Sequence, residues 1–236
     1  MSKITISRES LNDVLISGKA ILAGRNEFGG TFTDVRRICR GQSCANTSFG
    51  VKTSEGSGCS SPIPDADINF HTHPVACYKK TRSIWGWPSG TDMGAVLDLK
   101  NICHIIFALE GAYIIKVNKN IVNNKPNGLN EYIIELFSRT HKYRIVDNYE
   151  SHASNFKSEF NVKCPSNNPL DVWLKLANNL TVNIGGRPLK VFTVKLIKNN
   201  SFQYNKSHPN HTWGIIQNID KRNLSQLVHI PRDISV

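Results

Sequence analysis

The chain has 236 residues, 39% of them hydrophobic and 20% charged, with a formal net charge of +11. That length suits one large domain or a domain with an appendage, and the composition excludes disorder as the main state. There is no apolar run of about eighteen residues, so no membrane span is expected.

The positive charge is spread along the chain, with +6 over residues 1–145 and +5 over residues 146–236. The densest basic clusters, RRICR at 36–40 and KKTR at 79–82, are short. A nucleic-acid partner is therefore weakly supported, and a solvated basic surface explains the excess as well. The N-terminal MSKITISRESLNDV lacks the apolar core of a signal peptide. The six cysteines (39, 44, 59, 77, 103 and 164) form no C-x-x-C pair. Together these features give an expectation of reduced thiols in a cytoplasmic setting. The several N-x-S/T triplets carry no meaning in that setting.

In chain order, Lys3–Ser7 alternates polar and apolar residues and reads as a first strand. Leu11, Val14, Leu15 and then Ala20–Leu22 have roughly helical spacing, so a helix should end near Gly24. A strand entered through glycines follows at Glu27–Thr33. Residues 41–64 are rich in Gly, Ser, Cys and Pro and read as loop. Ile68–Pro74 interleaves apolar residues with Asn69, His71 and His73, as a strand does. Residues 75–88 form a long connection, and a helix runs from about Gly90 to Leu99. His104–Leu109 and Ala112–Val117 flank Glu110-Gly111 as a hairpin. A polar linker at 118–130 leads to a helix over Glu131–Ser138 with Ile133, Ile134 and Phe137 inward. Pro169–Asn179 fits an amphipathic helix and Lys190–Ile197 a strand. Residues after Ser201 have no assignable pattern, and no internal repeat is present.

The run from His71 to Asp92, HTHPVACYKKTRSIWGWPSGTD, carries the chemistry. On a strand, residues i and i+2 share a face, so His71 and His73 present two imidazoles side by side. Asp92 opens the next helix and can add an anionic ligand. Three protein ligands leave one tetrahedral position for water, the arrangement of a catalytic zinc. Ser89 and Asp92, taken alone, also read as a helix capping box with Asp in place of Glu. His208-x-x-His211 with Cys164 is a weaker second metal candidate, and Cys39-x4-Cys44 has no partner pair.

The segment resembles the JAMM signature of MPN-domain (JAB-type) metalloproteases, H-x-H-P followed by S-x-x-D, in His71, Thr72, His73, Pro74, Ser89 and Asp92. That family also has an upstream glutamate at the strand after the first helix, often as E-x-x-G. Glu27 lies 44 residues before His71 in Glu27-Phe28-Gly29-Gly30 and matches it, whereas Glu55 sits in the Gly/Ser loop. The resemblance covers roughly residues 1–120. Fifteen residues separate His73 from Ser89, more than is common in the family, so an extra loop must emerge beside the metal.

The resemblance implies an α/β (α+β) fold, a mixed MPN/JAB-like sheet flanked by helices. It places the metalloprotease domain at 1–145, with a C-terminal extension at 146–236 that either extends the sheet or forms a partner-binding appendage. It implies one catalytic Zn²⁺ on His71, His73 and Asp92, with Glu27 as proton acceptor and Ser89 as oxyanion donor. The implied reaction is hydrolysis of isopeptide or peptide bonds at ubiquitin or ubiquitin-like tails. A catalytically silent MPN scaffold that assembles a complex is the alternative.

Overall fold

The computed structural model describes residues 5–6, 8, 11–12, 22, 24–33, 39–40, 43–44, 50–64, 66–99, 101–147, 152–202, 204–205, 208–220, 222–227 and 229–235. Most of the helix expected before Gly24 lies outside the described residues. The fold is α+β, and its centre is a six-stranded mixed sheet. Strands are numbered in chain order: β1 (Thr5–Ile6), β2 (Phe28–Thr33), β3 (Cys39–Arg40), β4 (Ser43–Cys44), β5 (Gly50–Glu55), β6 (Ile68–Thr72), β7 (Cys103–Ala108), β8 (Gly111–Val117), β9 (Thr181–Ile184), β10 (Arg187–Lys190), β11 (Phe192–Lys198) and β12 (Ile234–Ser235). The order across the large sheet is β11-β8-β7-β6-β2-β5.

Within that sheet β6 and β7 are parallel and the other pairs antiparallel. Parallel neighbours cannot be joined by a tight turn and need a crossover. Here the crossover holds two helices, Val75–Thr81 and Gly90–Asp98. All five residues of β6 are buried, as expected of a central strand covered on both faces. The strand therefore ends in a crevice roofed by its own crossover, where open α/β sheets place ligands.

Several stretches differ from the sequence expectation. Residues 50–55, read as loop, form the edge strand β5 on β2, pairing Phe28 with Glu55 and Thr33 with Gly50. Backbone pairing with β2 outweighs the glycine- and serine-rich composition there. Residues 75–81 are helical, with Pro74 at the N-cap and Val75 and Tyr78 buried on one face. A short helix, Lys119–Asn123, interrupts the expected linker; Asn118 caps it and only Ile121 is buried. In the Leu129–Ser138 helix Ile133 and Phe137 are buried as expected, whereas Ile134 is 36% exposed.

Residues 146–236 extend the sheet. Strand β11 pairs along β8 from Phe192↔Val117 to Lys198↔Gly111. The Pro169–Asn179 helix brings Trp173 into an aromatic cluster with Trp87 at 6.1 Å, Tyr113 at 5.8 Å and Phe137 at 5.8 Å. Buried Asn199 knits the region further: its Nδ2 donates to the Leu109 and Leu227 carbonyls, and its Oδ1 accepts from His229 N. The unassigned tail contains the Pro209–Gln217 helix, and its end pairs with the start of the chain, Thr5↔Ser235. No helix among the described residues is long and apolar enough to cross a membrane.

Because Trp173, from the second half, is fully buried among aromatic rings of the first, Trp173→Ala should lower the unfolding free energy by about 3–5 kcal/mol. Urea unfolding followed by fluorescence and circular dichroism should keep a single coincident transition. Separate transitions for residues 1–145 and 146–236 would contradict a shared core.

Candidate metal centre

The sheet and its crossover bring His71, His73 and Asp92 together. Asp92 Oδ1 lies 3.3 Å from His71 Nε2, and Oδ2 lies 3.3 Å from His73 Nε2. The two Nε2 atoms are 3.1 Å apart. Among the described residues this is the one group of three or more His, Cys, Asp or Glu with converging ligand atoms. His208, His211 and Cys164 are not brought together.

The hydrogen-bond network assigns the tautomers. His73 Nδ1 is 2.7 Å from the Gly86 carbonyl, which can only accept, so Nδ1 carries a proton and the lone pair of the neutral ring lies at Nε2. On the other side, Asn69 Nδ2 donates to the Pro64 carbonyl, which turns Asn69 Oδ1 toward His104 Nδ1 at 2.5 Å. His104 is held well below 6.5 by burial first and then by the His71 charge, so it is neutral. Its Nδ1 donates to Asn69, and its Nε2 accepts from His71 Nδ1 at 2.7 Å. The lone pair of a neutral His71 ring would then also lie at Nε2. With both rings neutral, two imidazole lone pairs and a carboxylate face one point; with either ring protonated, its Nε2–H donates to Asp92.

His104 is the main residue the sequence reading missed. It stands in β7 directly opposite Asn69 in the parallel register. A histidine inside the otherwise apolar CHIIFAL was the available signal. Residues that orient a ligand histidine fix its tautomer and raise its basicity.

The loop between His73 and Ser89 has a defined role. Glu110, 5% exposed, accepts from Gly86 N at 2.7 Å, Tyr78 Oη at 2.7 Å and Tyr113 Oη at 2.5 Å. That carboxylate pins Gly86, whose carbonyl orients His73. A Cβ on Gly86 would come 2.0 Å from Tyr78 Oη, so the approach requires glycine. The insertion buttresses the site.

Ser89 is the N-cap of the Gly90–Asp98 helix, and the capping box is formed. Asp92 N donates to Ser89 Oγ at 3.0 Å, and Ser89 N donates to Asp92 Oδ2 at 2.6 Å. Because Oγ accepts the cap bond, its proton is free to donate into the cleft. Burial pushes the Asp92 carboxyl up, but the His71 charge and hydrogen bonds from both histidines outweigh it and hold Asp92 well below 3.8. At His73 burial lowers the pKa, and the hydrogen bond and charge of Asp92 reverse this, leaving it above 6.5.

Glu27, 6% exposed, precedes β2 and lines the same cleft. Phe28 N donates to Thr72 Oγ1 at 3.0 Å, tying the start of β2 to the end of the histidine strand. The loop after β5 holds Glu27 from the other side through Glu27 N→Gly58 O and Gly56 N→Glu27 O, both 2.8 Å. Burial raises the Glu27 carboxyl above 4.5 against the pull of His73 and His71. Glu55, the rejected competitor, accepts from Asn26 Nδ2 at the exposed end of β5.

The cleft encloses about 570 Å³ and contains Glu27, His73, Ser89 and Asp92. One wall is a disulfide, Cys59–Cys77, with Cα atoms 5.8 Å apart. The expectation of uniformly reduced thiols fails for this pair, which the Val75–Thr81 helix brings against the 56–64 loop. Cys103 and Cys164 are free. The opposite wall is the 3₁₀ segment Arg139–Arg144, which contributes Arg139, His141, Lys142 and Arg144. His141 is pushed down to about 4 by burial and then by Arg144.

Comparison with known proteins adds little chemistry. The uncharacterized protein 3R of Frog virus 3 (isolate Goorha) is 27% identical over 106 residues, covering 42% of this chain and 24% of that protein. The chain thus spans about a quarter of the length of that relative. No family model and no solved structure matches.

Titration provides a test of the site without metal. A histidine raised in the folded state stabilises the fold below its unfolded value near 6.5, and that stability is lost as pH rises through the folded value. Asp92, held well below 3.8, contributes above that value and is lost as pH falls through its folded one. In metal-free protein, NMR should place His73 above 6.5. Asp92→Asn should lower it, because burial and the Arg144 charge are then opposed by the Glu27 charge alone. An unchanged His73 midpoint in that variant would refute this coupling. His104→Phe should weaken Zn²⁺ affinity by about 10–100-fold in chelator competition, through loss of His71 orientation.

Proposed function

We propose that the chain is a zinc-dependent hydrolase of the JAMM type, cleaving peptide or isopeptide bonds. The observation that carries this reading is the convergence of the His71 and His73 Nε2 atoms and the Asp92 carboxylate on one point. Three acceptors so placed repel one another until a cation or proton stands between them. Nitrogen and oxygen donors in this number suit Zn²⁺ with an open position. His71, His73 and Asp92 would hold the ion, and the donor set fits it without rearranging their partners.

Zinc bound there would supply an acidified water and a polarised scissile carbonyl. The residues of the chain do the rest. Glu27, desolvated and beside the cluster, accepts the attacking water's proton and returns it to the leaving amine. Ser89 donates its free hydroxyl proton to the oxyanion that develops at the carbonyl. His104 and the Gly86 carbonyl keep both imidazoles aimed. The cysteines take no part, since no covalent intermediate is needed.

The complete ligand set in an open cleft favours hydrolysis over a silent scaffold. Ubiquitin or a ubiquitin-like tail as substrate rests on the motif resemblance in His71–Asp92 and Glu27 alone.

Zinc-loaded protein should cleave a fluorogenic ubiquitin-like tail conjugate or a generic peptide library. A chelator should abolish this, and thiol alkylation should leave it. Glu27→Gln should retain zinc but lose about 10²–10⁴-fold in kcat. Ser89→Ala should cost about 10²–10³-fold, with about 1 kcal/mol of stability lost from the cap. Turnover that survives zinc removal, or that dies with alkylation, would refute the mechanism.

A further inference from the structure

The charged groups lining the cleft are unevenly employed. Glu27 and Asp92 belong to the proposed catalytic centre. On the opposite wall, Arg139 and Lys142 share one carboxylate, Glu159, at 3.1 Å and 2.6 Å. Arg144 differs from both. Among the described residues it has no ion-pair partner, and its one hydrogen bond runs from Nη2 to the Trp87 carbonyl. Its guanidinium lies 5.5 Å from the centroid of the Trp87 ring.

Arg144 is also held in place. Ile84 N donates to the Arg144 carbonyl at 2.9 Å, Val146 N donates to the Arg82 carbonyl at 3.1 Å, and Ser83 bridges Ile145. The side chain is stacked, anchored at one nitrogen and half-buried in the cleft that holds Ser89 and Asp92. A planar guanidinium with unspent donors matches a carboxylate in two-point geometry, and a pre-positioned one loses little entropy on binding. The residues lining the cleft include three cations, Arg139, Lys142 and Arg144, against two carboxylates, Glu27 and Asp92.

We infer that Arg144 is a specificity residue that selects substrate segments with an acidic side chain beside the scissile bond. The inference deepens the hydrolase reading and rests on it for the placement of that bond. Arg144 meets the substrate carboxylate while Glu27 and Ser89 act on the peptide group. Extended segments with a lysine or arginine at the same place are disfavoured.

The test uses the zinc-loaded Glu27→Gln chain, in which turnover is suppressed, and fluorescence anisotropy. The probes are short extended peptides, identical apart from one aspartate, serine or lysine beside the central bond. The aspartate peptide should bind about tenfold more tightly than the serine one, with the lysine peptide weakest and the spread shrinking as salt rises. Adding Arg144→Met should remove the aspartate preference, and Arg144→Lys should keep part of it. Equal affinities, a lysine preference, or an aspartate preference that survives Arg144→Met would overturn the inference. If Arg144→Met loses its native circular dichroism, the Arg144→Lys comparison and the salt series decide. The protein with Glu27 intact, assayed on the same peptides, scores hydrolysis separately. Failure to cleave would count against the hydrolase reading, whereas loss of the binding order would count against Arg144.

Discussion

Two imidazole Nε2 atoms packed against one carboxylate set the terms for the rest of the cleft. Such a grouping is costly in a protein interior, because lone pairs and an anion face one another without solvent between them. It persists because each component is held from behind. Asn69 and His104 fix one ring, and Gly86, pinned by Glu110, fixes the other. The capping box fixes the carboxylate, whose Oδ2 accepts from Ser89 N while facing His73. Without a metal the chain relieves the grouping with a proton, which is why His73 rises against its own burial. Cation and proton therefore compete for the same point, and a metal must displace that proton to bind.

Local chemistry was readable in the sequence because it depends on short spacing. Two histidines one residue apart share a strand face wherever that strand lies, and serine three residues before aspartate opens a helix in most contexts. The capping box of Ser89 and Asp92 and the approach of Asp92 to the two histidines use the same carboxylate. Glu27 was legible through its place at the head of a strand. His104 was not, since nothing within the hairpin shows that it stands opposite Asn69; that follows from the parallel register of β6 and β7.

What lay furthest from the motif in sequence was least legible. The wall bearing Arg144 meets the crossover through Ile84 N and the Ser83–Ile145 bridge, contacts that join segments some sixty residues apart. Hydrophobic periodicity reports which face of an element is buried and not what it is buried against. The same limit explains the disulfide. Cys59 and Cys77 are separated by 18 residues, and only the helix at 75–81, read as part of a long connection, turns Cys77 toward the 56–64 segment.

The two halves of the proposed chemistry are anchored with different firmness. The metal ligands stand on a central strand and on a capped helix, both locked by buried partners. Glu27 instead hangs between Thr72 and the surface loop at 56–64, whose carbonyl at Gly58 takes its N–H. That loop is stapled by the adjacent Cys59–Cys77 bond, and closing a loop of this length contributes about 3 kcal/mol in the chain-entropy account. Ligands must keep a fixed geometry through turnover, whereas a proton carrier has to serve first a water and then a leaving amine. A rigid cradle for the ion and a tethered, less buried mount for the carboxylate suit those separate demands. Loosening the 56–64 loop would reach proton transfer before it reached metal affinity.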